Sequence, residues 1–328
     1  MKNQQTKGWG TKTKDGQEMW DDRPIFQGAK ISHKDRLKLF FYPKKFYLYH
    51  WVARYVRKQG SSLTQKLKIV DVGCGTGATV IDLKKMFHRG VEVIGVDVMS
   101  DQIDIAQKRM KEYGIWSEFY LYDGEHLPFS DSSVDVIYSS DVLGHVKDVS
   151  AWLQELYRVL KPNGEIIMFS ESKLGKHAYI RNYLMKKHIN TDPHAVFHIS
   201  LYSKKELKKI FTKQGFIIKT MMSVFLAKFF VHPEELYPVM QKTKGVFFLK
   251  KINAILYFLK NITRPVSLAV AELYGFIEMT LFGRWFESQG YLIRAEKETE
   301  AVKNEEYKRI EKFTPLSVEY SAVALDED

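Results

Sequence analysis

The sequence predicts an α/β protein whose mostly parallel sheet is covered by helices on both faces. Between residues 66 and 170, apolar runs of strand length alternate with helical patterns of about 10–13 residues. Parallel strands need long crossover connections, and helices of this length supply right-handed ones. The chain has 328 residues, of which 45% are apolar and 27% charged, so it can build a large core without disulfides.

The N-terminal part is predicted to be a tail followed by helices. Residues 1–30 are polar and lack apolar periodicity, so we expect a flexible tail. Within 31–66, apolar side chains recur at near-helical spacing on both sides of Pro43, and this pattern predicts two helices. These helices form an N-terminal extension ahead of the first strand.

The central part contains the alternation that defines the fold class. Strands are predicted at 66–72, 91–97, 118–123, 134–139 and 165–170, with helices at 78–87, 101–113 and 149–160. Ser100 is the expected N-cap of the second helix, because a serine oxygen can accept a bond from the first-turn N–H groups. Lys161-Pro-Asn-Gly164 has the composition of a turn.

The remaining segments add two strands and a helical insertion. Ser203 and Glu206 form a capping-box pattern at the start of a helix that runs to Gln214. Residues 215–220 and 290–295 are strand-like, and the segment between them is helical in pattern and unusually apolar.

The predicted domain organisation follows from these segments. It comprises a tail at 1–30, N-terminal helices at 31–66, a core at 67–227 and 290–297, a helical cap at 228–289 and a charged tail at 298–328.

Charge and cysteine content exclude some classes of protein. The single cysteine, Cys74, rules out an internal disulfide framework and a cysteine-rich zinc module. The N-terminus lacks the apolar segment of a secretory signal, so we expect a cytoplasmic protein. The net charge of +11 favours an anionic partner, which could be a membrane surface, a nucleic acid or an acidic substrate. No nucleic-acid-binding module is recognisable, so nucleic acid stays a minority alternative.

A glycine-rich loop follows the first predicted strand. Asp71-Val-Gly73-Cys74-Gly75-Thr-Gly77 leads into a helix, and Asp97 ends the next strand 20 residues after Gly77. Glycines let the backbone approach a ligand closely, and an acid at that strand end can bind ribose hydroxyls. The spacing Gly73-x-Gly75-x-x-Ala78 also fits a dinucleotide-binding fingerprint, as in a dehydrogenase. A dehydrogenase would need a second catalytic domain, and none is recognisable in the sequence.

Five sequence blocks, in order and at matching spacing, carry a resemblance to a known family. They are Val70-Asp-Val-Gly-Cys-Gly-Thr-Gly, Gly95-Val-Asp97, Asp123-Gly-Glu-His-Leu-Pro-Phe129, Val134-Asp-Val-Ile-Tyr-Ser-Ser-Asp-Val-Leu-Gly-His145 and Leu156-Tyr-Arg-Val-Leu-Lys-Pro-Asn-Gly-Glu. The chain resembles the class I S-adenosylmethionine-dependent methyltransferases, in particular quinone- and sterol-type small-molecule enzymes. The resemblance implies a Rossmann-like doubly wound sheet of seven strands, with the last strand antiparallel.

The resemblance also implies roles for individual residues. Asp71 and the loop from Gly73 to Gly77 would hold the methionine part of S-adenosyl-L-methionine, Asp97 would hold the ribose, and Asp123 would face the adenine. The implied cofactor-binding residues are Asp71, Gly73, Cys74, Gly75, Gly77, Asp97, Val98, Met99, Asp123, Gly124, Ser139 and Ser140. Cys74 is expected to be a small packing residue there, not a nucleophile. The product would be S-adenosyl-L-homocysteine.

Few residues are candidates for acid–base work. His145 follows the fourth strand and could act as a general base, or it could simply bond at the start of the next helix. Glu171 could face the substrate pocket or could be a solvated acid. His194 and His198 have the i,i+4 spacing of a zinc pair, but Pro193 interrupts the helix, so we expect no metal and regard them as pocket candidates.

The insertion suggests either a membrane contact or a packed cap. Residues 241–264 contain six Lys or Arg and no acid, and apolar side chains at 248, 252, 255, 256 and 259 share one helical face. Residues 265–283 are apolar but contain Glu272 and Glu278, so we expect a lid over an apolar substrate and not a membrane span.

The sequence therefore predicts a methyltransferase acting on a hydrophobic or amphipathic small molecule such as a lipid, quinone or polyketide-like compound. One alternative is a methyltransferase for nucleic acid or a polar metabolite. A second alternative is a non-catalytic S-adenosylmethionine sensor or membrane scaffold, because methyl transfer demands no invariant catalytic residue.

Overall fold

A computed structural model describes most of the chain and contains one seven-stranded sheet. The described residues are 22–28, 30–60, 66–87, 90–192, 197–223, 233–263 and 266–298. The strands are β1 (Leu67–Val72), β2 (Val91–Asp97), β3 (Glu118–Leu121), β4 (Val134–Ser140), β5 (Leu160–Ser170), β6 (Phe216–Ser223) and β7 (Tyr291–Lys297). Their order is β3-β2-β1-β4-β5-β7-β6.

The sheet is parallel except at β7. The pairs β1–β2, β1–β4, β2–β3 and β4–β5 are parallel, whereas β7 pairs antiparallel with β5 and β6. The predicted fold class, with its antiparallel last strand, is confirmed. The order changes direction between β1 and β4, and a crevice forms at such a switch point outside the carboxyl ends of the strands.

The helices cover both faces of this sheet and extend beyond it. They are α1 (His33–Lys38), α2 (Pro43–Gln59), α3 (Ala78–Phe87), α4 (Ser100–Glu112), α5 (Val149–Val159), α6 (Tyr179–Lys186), α7 (Lys204–Lys213), α8 (Pro233–Lys242), α9 (Phe247–Ile262) and α10 (Val266–Phe282). Two large apolar clusters contain residues from the sheet and its flanking helices, and a smaller one lies among α6, α8 and α9.

Local details differ from the prediction at two positions. Helix α4 begins at Ser100, and its N-cap is Met99, so Ser100 is not the cap. Residues 161–164 belong to β5, although Asn163 has a φ of 61° and the pairing register with β4 shifts nearby. The Ser203–Glu206 capping box is confirmed at the start of α7.

The end of the predicted tail packs onto the protein, so the boundary at residue 30 is wrong for the described part. Ile25 and Phe26 are buried, and their backbone N–H groups both donate to the Asp82 carboxylate at 3.0 Å. The hydroxyl of Tyr49 donates to the same carboxylate at 2.9 Å. The burial of the Phe26 ring and the two hydrogen bonds from backbone N–H groups stabilise the packed position of this short segment. Residues 1–21 and 299–328 lie outside the described residues.

The cap is anchored to the N-terminal helices through aromatic rings. Phe276 of α10 packs edge-on against Phe40 and Phe46 at centroid distances of 5.2 and 4.9 Å. The hydroxyl of Tyr47 lies 2.6 Å from Thr280 Oγ1. No helix in the described part of the chain is both long and apolar enough to cross a membrane.

Asp82→Ala is expected to lower the free energy of unfolding by about 2–4 kcal/mol, because three buried donors lose their acceptor. The 22–28 segment should detach, so trypsin should cleave faster at Lys30. Urea unfolding and limited proteolysis measure the two effects. Asp104→Ala, which changes an exposed acid on α4, is the matched control. Equal stability of Asp82→Ala and the wild type would contradict this role of Asp82.

Candidate active site

A cleft of about 1470 Å³ opens at the carboxyl ends of the parallel strands. Residues from the ends of β1, β2, β4 and β5 line it, together with parts of the N-terminal segment and α5. The switch in strand order between β1 and β4 explains its position, because the two connecting loops turn away to opposite faces of the sheet.

The glycine loop forms the floor of the cleft. The N–H groups of Gly73 and Cys74 both donate to the carbonyl oxygen of Val96, at 2.8 and 3.0 Å, and this ties the loop to β2. Gly73 has a φ of 77°, and a Cβ at this position would lie 2.2 Å from a methyl group of Val142. Only glycine therefore allows the loop to pass so close to the segment after β4.

Asp97 is held rigidly at the end of β2. One carboxylate oxygen accepts from the N–H of Gly75 at 2.8 Å, and the other accepts from the N–H of Met99 at 3.0 Å. Burial raises the pKa of Asp97, while these backbone bonds oppose the rise. The Asp97 carboxylate thus joins the glycine loop to β2, and its oxygens can accept further hydrogen bonds from a ligand.

Asp71 is buried beside Asp97, at the end of β1. Burial, with a further contribution from the Asp97 charge, raises the pKa of Asp71 to about 8, and Lys45 offsets only part of this. A cationic group placed against this carboxyl would gain electrostatic energy and favour its ionised form. Two acids so close together suit a ligand that carries both a positive charge and hydroxyl groups.

On the β3 side, the cleft is more open. Val98 is 54% exposed at its edge, next to Met99. The Asp123 carboxylate accepts from the N–H groups of Glu125 and His126 at 2.8 and 2.6 Å, and these bonds lower its pKa. Gly124 lies beside it with a φ of 89°. This side combines an apolar surface with polar groups.

The N-terminal segment adds a wall that the sequence patterns did not reveal. The carbonyl oxygen of Asp22 accepts from the Thr76 hydroxyl at 3.2 Å and from the Arg109 guanidinium. The Asp22 carboxylate forms a salt bridge with Lys45. Asp22 and Lys45 both line the cleft, so the chain before the sheet borders the glycine loop.

On the β4–β5 side, a lysine and an acid pair across the cleft. Lys44 Nζ lies 2.5 Å from the Asp141 carboxylate and 4.5 Å from the ring centroid of Phe169. Burial alone would lower the pKa of Lys44, but Asp141 raises it on balance. Asp141 has a φ of 62°, an uncommon conformation for a residue other than glycine. In the sequence, Lys44 is one of two adjacent lysines, and no nearby pattern predicts that it pairs with Asp141.

His145, Glu171 and His198 come together on this same side. One ligating atom from each lies within 4.8 Å of the others. Burial, and then the charge of His198, lowers the pKa of His145. Burial, with the nearby Asp141, raises the pKa of Glu171 to about 8. Burial would lower the pKa of His198, but the Asp192 carboxylate at 2.7 Å raises it on balance.

Most of the residues predicted from sequence line the cleft, and two do not. Those lining it are Asp71, Gly73, Cys74, Gly75, Asp97, Val98, Met99, Asp123, Gly124, Ser140, His145, Glu171 and His198. Ser139 is buried within β4 and donates to the Val72 carbonyl at 2.9 Å. Gly77 packs instead against α4 and β3, since a Cβ there would lie 2.9 Å from that of Ala106. His194 lies outside the described residues.

Comparisons with known proteins agree with this geometry. A methyltransferase-domain family matches residues 70–168. A demethylmenaquinone methyltransferase of Lactobacillus johnsonii is 30% identical in an alignment of 173 residues, which covers 46% of this chain and 71% of the relative. A protein of the same name from Lactiplantibacillus plantarum is 31% identical over 38% of this chain and 52% of its own length. A sterol 4-C-methyltransferase of Caenorhabditis elegans is 28% identical over 33% and 32%. The chain thus spans about half of the second relative and a third of the last.

Asp71→Asn should change the pH dependence of stability. The folded protein holds a proton on Asp71 up to about pH 8, whereas an unfolded chain loses it near pH 4. The free energy of unfolding of the wild type should therefore fall, relative to the variant, between pH 4 and 8, by up to about 1.4 kcal/mol per pH unit.

Urea unfolding at pH 5 and pH 9, without added ligand, measures this difference. The stability of the variant relative to the wild type should rise between pH 5 and pH 9, by up to about 4 kcal/mol. Asp104→Asn is the matched control. The same stability difference at both pH values would contradict a raised pKa for Asp71.

Proposed function

Because the chain belongs to the class I S-adenosylmethionine-dependent methyltransferase family, we propose that its cleft binds this cofactor and methylates a hydrophobic or amphipathic small molecule. The observation that carries the proposal is the fixed Asp97 carboxylate beside the glycine loop, with Asp71 buried next to it. A carboxylate at this position suits a pair of ribose hydroxyls, because each can donate a hydrogen bond to it.

The residues present fit the cofactor. Asp71, at the end of β1, would accept the cofactor's ammonium group, whose charge would favour the ionised carboxyl. The backbone of Gly73 to Gly75 would approach the methionine part, where a Cβ at Gly73 would clash with Val142. Val98 and Met99 would contact the adenine, with Asp123 facing its amino group. Ser140 would border the reacting methyl group.

The cofactor supplies an activated methyl group on a positively charged sulfur. The protein then has to align an acceptor with that group and exclude water from it. His145 and Glu171, on the β4–β5 side, are suited to hold the polar end of the acceptor. Next to His145 and Glu171, the ion pair of Lys44 and Asp141 forms a polar part of the cleft wall without net charge.

The helical cap and the relatives support an apolar substrate. Demethylmenaquinone and sterols, which appear in the relatives' names, are large apolar molecules. The described residues of the cap form three helices, and α10 packs on the N-terminal helices that border the cleft.

The exposed surface of the cap supports contact with a membrane. Six apolar side chains of α9 are about half exposed or more and fall within one 120° arc at 100° per residue. They are Phe247, Phe248, Ile255, Phe258, Leu259 and Ile262. Exposed apolar side chains of α10 form a second stripe, which includes Val266, Val270 and Ile277. Contiguous exposed apolar surface marks interaction sites. Lys242 and Lys244 before α9, and Lys250 and Lys251 within it, favour anionic lipid.

Methyl transfer can be tested with label from the cofactor. The protein would be incubated with methyl-labelled S-adenosylmethionine and an extract of the source cell, and the label partitioned between organic, aqueous and acid-precipitable fractions. We expect the label in the organic phase. Label in the other fractions would overturn the apolar substrate and favour a polar metabolite or nucleic acid. No label despite cofactor binding would favour a sensor or scaffold.

Asp97→Ala should abolish this labelling and weaken S-adenosylhomocysteine binding by about 10- to 100-fold, through lost bonds to a charged acceptor. Isothermal titration calorimetry measures the affinity. Asp104→Ala, an exposed acid on α4, should bind like the wild type. Unchanged affinity of Asp97→Ala would remove the basis of the proposed cofactor site.

Membrane contact can be tested by vesicle flotation. The protein should bind vesicles of phosphatidylglycerol and phosphatidylcholine, and the Phe248→Asp/Phe258→Asp variant should bind about tenfold more weakly or worse. Trp116→Asp alters an equally exposed aromatic residue outside the cap and serves as the control. If both variants bind equally, the cap is not the contact surface.

A further inference from the structure

We propose that His145, Glu171 and His198 form a binding site for a divalent metal ion of the zinc class on the β4–β5 side of the cleft. The three residues come from different parts of the chain: the short helix after β4, the end of β5 and the segment before α7. One nitrogen or oxygen from each lies within 4.8 Å of the others, and all three residues line the cleft. Two histidines and one carboxylate form a set that catalytic zinc and iron sites use.

The hydrogen bonds around the two histidines orient them as metal ligands. His145 Nδ1 lies 3.0 Å from the carbonyl oxygen of Phe197, which can only accept, so Nδ1 carries the proton. His198 Nδ1 lies 2.7 Å from the Asp192 carboxylate, which selects the same tautomer. In both rings, Nε2 then offers a lone pair. Metal-binding histidines are held in this way, by a carbonyl or carboxylate behind the ring.

Glu171 supplies the anionic ligand. Its Oε2 is buried and accepts no hydrogen bond from the described residues. Lys44, whose charge acts on Glu171, is already paired with Asp141. A buried carboxylate oxygen without a partner costs free energy, and a bound cation would remove that cost. The lack of a side chain at Gly144 leaves space for these ligands, because a Cβ at this position would lie 3.1 Å from Glu171 Oε2 and 3.4 Å from the His198 ring.

The ligand set favours a transition metal over magnesium or calcium. Imidazole nitrogens suit zinc, iron and nickel, whereas magnesium and calcium prefer oxygen ligands throughout. Bonds of about 2.1 Å place tetrahedral ligand atoms about 3.4 Å apart, so the three side chains would close by about an ångström on binding. Three protein ligands leave a coordination position open towards the cleft.

An open metal site has a direct use in methyl transfer, and this part of the inference rests on the proposed function. The acceptor would be a hydroxyl group, such as that of a phenol or enol. On the metal, its O–H bond would ionise, with the proton passing to water. The oxygen lone pair would then form the new O–C bond as the C–S bond breaks, and that electron pair would stay on sulfur. His145 would then act as a ligand, which is neither of the two roles considered from the sequence.

The metal site can be tested without the substrate. Full-length, tag-free protein, treated with a chelator and then desalted, would be titrated with zinc chloride by calorimetry and with cobalt(II) by absorption spectroscopy. We expect one zinc per chain. The His198→Ala and Glu171→Gln variants should bind at least about 100-fold more weakly, and Asp192→Asn about 10- to 100-fold more weakly. His33→Gln, which changes an exposed histidine on α1, should bind like the wild type.

The outcomes separate this inference from the proposed function. Saturable zinc binding that falls in both ligand variants supports the site, as does a cobalt spectrum that both variants lose. Thermal unfolding checks that the variants fold, and Glu171→Gln keeps the shape of the side chain. Absence of saturable binding, or equal binding by all variants, would overturn the site. S-adenosylhomocysteine binding by the chelated protein would still hold in that case if the cofactor site is correct.

Discussion

The cleft depends on two acids that the sheet buries at the ends of neighbouring strands. Asp71 and Asp97 repel each other when both are ionised, and burial deepens this cost. The N–H groups of Gly75 and Met99 donate to the Asp97 carboxylate and offset the cost of burying it. The glycine loop must therefore have a conformation in which the Gly75 N–H points to Asp97. The loop conformation, the close approach of Val142 and the position of α4 follow from that requirement. Asp71 therefore stays protonated at neutral pH, and a cationic ligand bearing hydroxyl groups can favour its ionised form.

The sheet and the cofactor side could be predicted because their signals are local. Strand β2 is an apolar run that ends at Asp97, and β1 carries Asp71 one residue before its end. Glycines follow β1, so a few consecutive residues indicate both the strand and the binding loop. Predicted site residues such as Asp71, Gly75 and Asp97 therefore line one cleft. Ser139 shows the limit of this reasoning. Alternation along β4 decides which of two adjacent serines faces inwards, and the family pattern did not distinguish them.

The other side of the cleft could not be predicted because its pairs are far apart in the sequence. Lys44 and Asp141 are separated by 97 residues, and neither has a pattern around it that names the other. His198 was expected only as a pocket residue, and the structure brings it together with His145 and Glu171 from two other segments. Phe26 likewise gives no periodic signal, and its burial depends on Asp82, 56 residues away. Tertiary packing alone creates these contacts.

The wall formed by Asp22 and Lys45 lies outside the part of the chain that the family match covers. The family match begins at residue 70, after both of these residues and after the whole of α2. A fragment trimmed to that match would keep the glycine loop and both buried acids. It would lose the carbonyl that bonds Thr76 and the lysine that lies near Asp71. We therefore expect the smallest catalytic fragment to start upstream of the recognisable domain, at or before Asp22.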